Sequence, residues 1–153
     1  MTNYIALAHD IKRKTDASDP VEIREAVAML VPCKMSSGLD DAIITIDGSD
    51  WRFIREDAID GIMQDELASD EYILGCLNDW LLADVLDMDI DVIQAMQKAE
   101  AHEALGKLVI STSKLQELQE KYVQADGYGH HFAHYDGFEE SLSTQPYYAF
   151  KIG

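Results

Sequence analysis

Apolar residues along this chain recur in short periodic groups divided by polar punctuation, and the period changes from one group to the next. Residues 3–14 fit either a helix or an edge strand, and a helix is the expectation. Asp19-Pro20 then supplies an N-cap followed by proline at the first helical position. It opens a helix in which Val21, Ile23, Val27, Ala28 and Leu30 recur at helical spacing. Pro32 closes that helix, and residues 33–41, rich in Ser, Gly and Asp, read as a loop. Residues 42–46 are β-branched, Asp47-Gly48-Ser49-Asp50 is a tight-turn sequence, and residues 51–54 alternate, so a β-hairpin is predicted.

Helical spacing returns at Ile59, Ile62, Met63 and Leu67, behind Glu56 and Asp57 at the start of the segment. Ser69 is read as the cap of a long central core helix with Asp70 and Glu71 in its first turn. Its apolar side would comprise Ile73, Leu74, Leu77, Trp80, Leu81, Val85 and Leu86. Asp89 is read as the cap of a third helix running from Ile90 to about Leu105, with Gly106 near its end. Leu108-Val109-Ile110 connects to Ser111-Thr112-Ser113, a further cap, and to an amphipathic helix through Leu115, Leu118 and Tyr122. In the glycine-punctuated, aromatic-rich tail, residues 130–135 and 147–152 read as two strands. The fold class is therefore α+β, with about five helices and a small, mainly antiparallel sheet of about four strands. A single domain over residues 1–153 is expected, with an acidic helical block at about 55–106 and a C-terminal hairpin at about 130–152.

Charge changes this picture most. The 153 residues hold 12 Lys and Arg against 29 Asp and Glu, a net of −17. Residues 40–103 carry eighteen acids against Arg52, Arg55 and Lys98, a net of −15, whereas residues 1–39 balance at zero. Solubility alone asks for a magnitude of only about 2–8 in a small domain. Such a surface repels nucleic acid and attracts proteins that bind it. No apolar run reaches the length of a bilayer span, and Lys12-Arg13-Lys14 follows the first apolar stretch, the reverse of a secretory signal. A soluble cytoplasmic protein is expected. Cys33 and Cys76 lie among apolar neighbours and read as two reduced, buried thiols.

Three constellations carry candidate chemistry. Residues 127–136 hold His130, His131, His134 and Asp136. On a strand His130 and His134 would share one face, offering two metal ligands that still need a third. Histidines interleaved with Tyr128, Phe132 and Tyr135 are more often packing residues, so no metal or cofactor is assigned. Asp87, Asp89 and Asp91 begin like a calcium-binding EF-hand loop, but Val92 stands where glycine is needed and Lys98 where a bidentate glutamate is needed. These aspartates read as an interhelical turn, a cap and exposed charge. No nucleophile elbow, P-loop, dinucleotide fingerprint or cysteine–histidine pair occurs, and the chain is read as a non-enzyme.

The third constellation is the acidic surface itself. Asp57 and Asp60, and Asp84, Asp87 and Asp91, are spaced three or four residues apart, a spacing that on a helix sets Cβ atoms about 5–6 Å from one another. With Asp65, Glu66, Asp70, Glu71 and Asp79 they form the candidate partner-binding set. Acids at helix starts such as Asp70 and Asp89 also serve the helix dipole, which accounts for some of them but not for the scarcity of answering Lys and Arg. Trp51, Tyr147 and Tyr148 are candidate exposed hot spots that are equally readable as core.

Residues 72–80 with the helix after them, and residues 126–137, resemble segments of small, acidic, uncharacterised proteins of bacteriophages, prophages and plasmids. The resemblance covers about half of the chain and brings no residue roles. In charge and size the chain is similar to phage antirestriction and anti-CRISPR proteins that imitate DNA. The charge and this similarity together imply an acidic inhibitor that occupies the DNA-binding surface of a host defence complex. Two alternatives stand beside it: an immunity, antitoxin-like or regulatory adaptor protein for a basic partner, and a metal-dependent enzyme using His130 and His134. The partner expected is the basic surface of a nucleic-acid-binding protein, with no direct nucleic acid and no membrane, and the oligomeric state is left open.

Overall fold

Asp47 and Gly48 both take positive φ, 53° and 77°, the conformation that a two-residue hairpin turn demands. They join β1 (Asp41–Ile46) to β2 (Ser49–Arg55), with Ile46 opposite Ser49 and Asp41 opposite Ile54. The computed structural model describes residues 4–30, 40–134, 137–142 and 147–153. Pro32, the 33–41 loop as far as residue 39, Cys33, Tyr135 and Asp136 lie outside the described residues. Contacts divide the chain into two units, Met1–Ile59 with Gly127–Gly153, and Asp60–Asp126.

The first unit is built on a four-stranded antiparallel sheet. Its strand order is β1-β2-β4-β3, with β3 at Glu140–Ser141 and β4 at Tyr147–Lys151. Alternation places Ile44, Ile46, Trp51, Phe53, Tyr147 and Ala149 in a core with α1 (Tyr4–Thr15) and α2 (Pro20–Leu30), which contribute Leu7, Ile11, Ile23, Ala26, Val27 and Leu30. Asp19 accepts from the Val21 amide at 2.9 Å, so the Asp-Pro signal opens α2 as read. The intervening strand residues meet an aromatic cluster. Phe132 lies 5.1 Å from Phe150, and Arg52 sits 5.0 Å above the Phe132 ring while donating to both oxygens of Asp41, at 2.8 and 2.6 Å.

The tail departs from the sequence reading at its first expected strand. Residues 129–132 form a short helix, α9 (Gly129–Phe132), and the strand that completes the sheet is β3. Gly129 explains the change. A side chain there would stand 2.3 Å from the Gly137 carbonyl oxygen, so the backbone of residues 137–139 is laid directly against the helix start, where aromatic content alone suggested a pleat.

The second unit is helical: α3 (Ile59–Ser69), α4 (Glu71–Gly75), α5 (Asp79–Leu86), α6 (Ile90–Lys98), α7 (His102–Ser111) and α8 (Leu115–Asp126). Nine helices therefore stand among the described residues, where about five were expected. The α+β class and the antiparallel four-stranded sheet agree with the sequence reading. Two expected long helices are each broken in two. The segment 70–86 stops after Gly75 and restarts at Asp79, because Asn78 caps a new helix by accepting from the Trp80 and Leu81 amides. Asp70 caps the first half, accepting from Ile73 at 3.1 Å in place of the expected Ser69. The segment 90–105 breaks where Glu100 takes a left-handed φ of 60°. Residues 108–110, expected as a connection, lie inside α7.

Two glycines hold this unit together. A Cβ on Gly75 would meet the His102 carbonyl oxygen at 1.7 Å, and one on Gly106 would meet the Glu71 carbonyl oxygen at 1.9 Å. The backbones of α4 and α7 thus cross in direct contact, each helix supplying the glycine that the other requires. The Gly75 carbonyl accepts from Gln97 at 3.1 Å, and Gln97 also donates to Leu77 at 3.0 Å, so α6 satisfies the last carbonyl of α4 and one in the turn that follows it. Buried Gln119 on α8 donates to Asp60 at 2.8 Å and accepts from Gln64 at 3.1 Å, tying α8 to α3.

Gly106→Ala is expected to cost at least about 1–3 kcal/mol, since backbone has to move to admit the methyl group. The check is a lower urea midpoint together with lost amide-exchange protection in α4 and α7. Arg52→Lys keeps the charge but loses the two-point hold on Asp41 and the flat stack on Phe132. A loss of about 1–2 kcal/mol is expected in the same assay, larger than for Lys at exposed Arg13.

Candidate functional site

Charge is not shared equally between the units. The helical unit Asp60–Asp126 carries fifteen acids, four lysines and no arginine, a net of −11 out of −17. In the sheet unit, arginines answer the acids: Arg52 holds Asp41, and Arg55 holds both Asp40, at 2.8 Å, and Asp57. Asp57 sits in the turn before α3, so it does not continue a helical row with Asp60.

The candidate carboxylates of the helical unit have three kinds of employment. Asp70 caps α4, and Asp79 accepts from Gln94 at 2.9 Å in the first turn of α5. Lysines engage others: Lys121 reaches Asp84 at 2.6 Å and Glu117 at 3.5 Å, and Lys107 lies 3.0 Å from Glu103 and 3.8 Å from Glu71. The Asp84 hydrogen bond and charge hold the Lys121 ammonium above its ordinary value against the cost of burial. Lys114, with Lys121 behind it, lowers Glu117. Asp60 accepts from Gln119, and Glu66 lends its carbonyl to the Ser69 hydroxyl at 2.7 Å. Asp65, Asp87 and Asp91 are exposed, and among the described residues no ion pair or side-chain hydrogen bond engages their carboxylates.

Asp84, Asp87 and Asp91 do not form the single helical row that their spacing suggested. Asp87 closes α5 in a left-handed conformation with φ 52°, and Asp89 caps α6 by accepting from the Asp91 amide at 2.8 Å. The row is replaced by a corner, and Trp80 stands at it. Sequence spacing placed Trp80 in the core, yet it is 69% exposed, and Ile73 is 52% exposed. The helix restart at Asn78 rotates α5 so that Leu82, Ala83 and Val85 turn inward instead. The Asn78-Asp79 pair was the signal for that restart. Trp80 borders two open depressions. One, of about 720 Å³, includes Leu81, Asp84, Lys121 and Asp126, and the other, of about 400 Å³, includes Asp84, Asp87, Met88 and Asp89. Trp51 and Tyr147, aromatic candidates for an exposed hot spot, are buried at 7% and 4% exposure, and Tyr148 is half-buried.

His130 lies in α9 and His134 beyond its end, both exposed, so the alternation that set them on one strand face does not apply. Among the described residues no three His, Cys, Asp or Glu side chains are grouped to hold a metal ion. Cys76, expected to be buried, is an exposed free thiol at the end of α4, because the helix stops there. No helix among the described residues is long and apolar enough to cross a membrane.

One titration reports on this unit. Tyr122 of α8 is 6% exposed; burial first, and the Asp126 carboxylate second, push its phenol up to about 12. In the unfolded chain a phenol ionises near pH 10, so the neutral form favours the fold, fully below that pH. Stability is expected to fall as pH rises from about 10 to about 12, by on the order of 1–2 kcal/mol. In Tyr122→Phe the slope should become shallower in urea unfolding curves taken across this range, leaving the share of the raised Lys121, Lys107 and Tyr72. No family model, curated protein or solved structure matches the chain, so its site is read from its own residues.

Proposed function

We propose that the chain is an acidic protein-binding inhibitor whose helical unit occupies the basic, DNA-binding surface of a host defence complex, in the manner of an anti-CRISPR or antirestriction DNA mimic. It acts by occlusion, with no catalytic step of its own. The observation that carries this reading is the net −11 of the helical unit, where Asp65, Asp87 and Asp91 remain without a cationic partner among the described residues. Carboxylates left without lysines raise the cost of folding through self-repulsion, a cost that binding a cationic surface removes. A protein that binds DNA presents Lys and Arg in rows, and carboxylates set against those rows gain from the same long-range attraction.

Trp80 favours a second reading. Phosphate imitation requires only charge, whereas an exposed tryptophan beside acid-lined depressions suits a compact protein–protein hot spot with a lysine or arginine of the partner over the ring. An immunity or antitoxin-like protein for one basic toxin, or a regulatory adaptor, would use the same face in that way.

The test is affinity capture from bacterial lysate at low and at high salt, with excess duplex DNA as competitor. A nucleic-acid-binding complex that DNA displaces, and whose recovery falls with salt, is the expected result. The triple variant Asp65→Asn, Asp87→Asn, Asp91→Asn should weaken capture by about tenfold or more at low salt, with circular dichroism unchanged. Capture of one basic protein that DNA does not displace, lost on Trp80→Ala, would move the function to the second reading. Capture indifferent to salt would overturn both.

A further inference from the structure

We infer that the groove between α1 and α2, in the sheet unit, is a binding site for a small anionic amphiphile, a molecule with one carboxylate head and an apolar body. The groove is open to solvent and has a volume of about 480 Å³, within the range of about 300–1,000 Å³ typical of small-ligand sites. Its walls are one stripe from each helix. Tyr4, Ile5 and Ala8 follow one another along α1, while Ile23 and Val27 face them from α2. Tyr4 is 52% exposed and Ile5 76%, apolar surface that gains by being covered.

Charge identifies the occupant. Lys12 and Arg24 line this groove, with His9 beside them. Arg13, Lys14, Arg52 and Arg55 of the same unit each meet a carboxylate, at Asp10, Glu140, Asp41 and Asp40 respectively. Lys12 and Arg24 meet none among the described residues, although the chain offers 29 acids to 12 bases. Among the described residues Lys98 of the other unit also lacks a carboxylate, but Lys12 and Arg24 line one apolar groove together, and such a pair is complementary to an anionic head on an apolar body. Charge also argues against larger occupants. A second copy would bring a further −17, and an acidic protein segment would bring several negative charges toward a repelling molecule, whereas a single-headed ligand brings one. This site is separate from the acidic helical unit and does not rest on the reading proposed for it.

The experiment titrates the full chain with decanoate, decanol and decyltrimethylammonium, each below its micellar concentration, followed by amide chemical shifts. Decanoate is expected to saturate one site, to shift α1 and α2 amides, and to bind about tenfold or more tighter than the cationic probe. Lys12→Ala with Arg24→Ala should remove that preference while circular dichroism and the unfolding midpoint stay unchanged. Equal binding of the three probes, no shift in α1 and α2, or a decanoate preference that survives the double variant would overturn the assignment.

Discussion

The contact on which the helical unit depends is one with no side chain in it. Where α4 crosses α7, Gly75 lies against the His102 backbone and Gly106 against that of Glu71, closer than any Cβ would permit. The helix α4 is only five residues long, too short to stand alone, and Gln97 donates to its last carbonyl, that of Gly75, and to that of Leu77 beyond it. Everything that distinguishes the surface depends on that stop. The chain must turn, Asn78 must cap a fresh helix, and the fresh helix begins with Trp80 facing out and Asp84 and Asp87 beside it. A continuous helix through residues 70–86 would have buried the tryptophan and dispersed the acids.

The two units treat negative charge differently. In the sheet unit, Arg52 and Arg55 hold Asp41 and Asp40 at strand ends, and Arg52 is at once a hydrogen-bonding fork and a lid on Phe132. In the helical unit the only Lys or Arg residues are lysines, and two of them gather carboxylates in pairs, Lys107 with Glu71 and Glu103 and Lys121 with Asp84 and Glu117. Single ammonium groups at exposed positions screen such pairs weakly, so these bridges shape the local field more than they stabilise the fold. The field that remains is shared by the acids that no lysine reaches among the described residues, Asp65, Asp87 and Asp91 with them.

Local signals were legible in the sequence. The β-branched run ending at Asp47-Gly48, the Asp19-Pro20 start of α2 and the Leu115, Leu118, Tyr122 stripe of α8 each depend on neighbours a few residues away, and each is found where the pattern placed it. What was illegible depends on distant partners. Gly75 and Gly106 look like ordinary helix residues until each is set against the other's helix, and Gly129 signals a helix only once residues 137–139 lie on it. The excess of acids could be counted, but which remain unanswered could not. Lys121 reaches Asp84 across 37 residues, and Lys14 finds Glu140 at the far end of the chain. The freedom of Lys12 and Arg24 becomes visible only after the pairings of the other cations are known.

The sheet unit is discontinuous, and this sets an order of events during synthesis. β2 lies between β1 and β4, yet the sixty-seven residues of Asp60–Asp126 are made before β4 exists. While they emerge, β1 and β2 form a hairpin whose inner edge, from Trp51 to Arg55, has its hydrogen-bonding groups open to any extended chain nearby. The helical unit, rich in local contacts, has time to form in that interval. Truncation before Tyr147 would therefore leave nascent chains with a ready template for strand pairing, and the net negative charge of the helices made in between would repel one such chain from another.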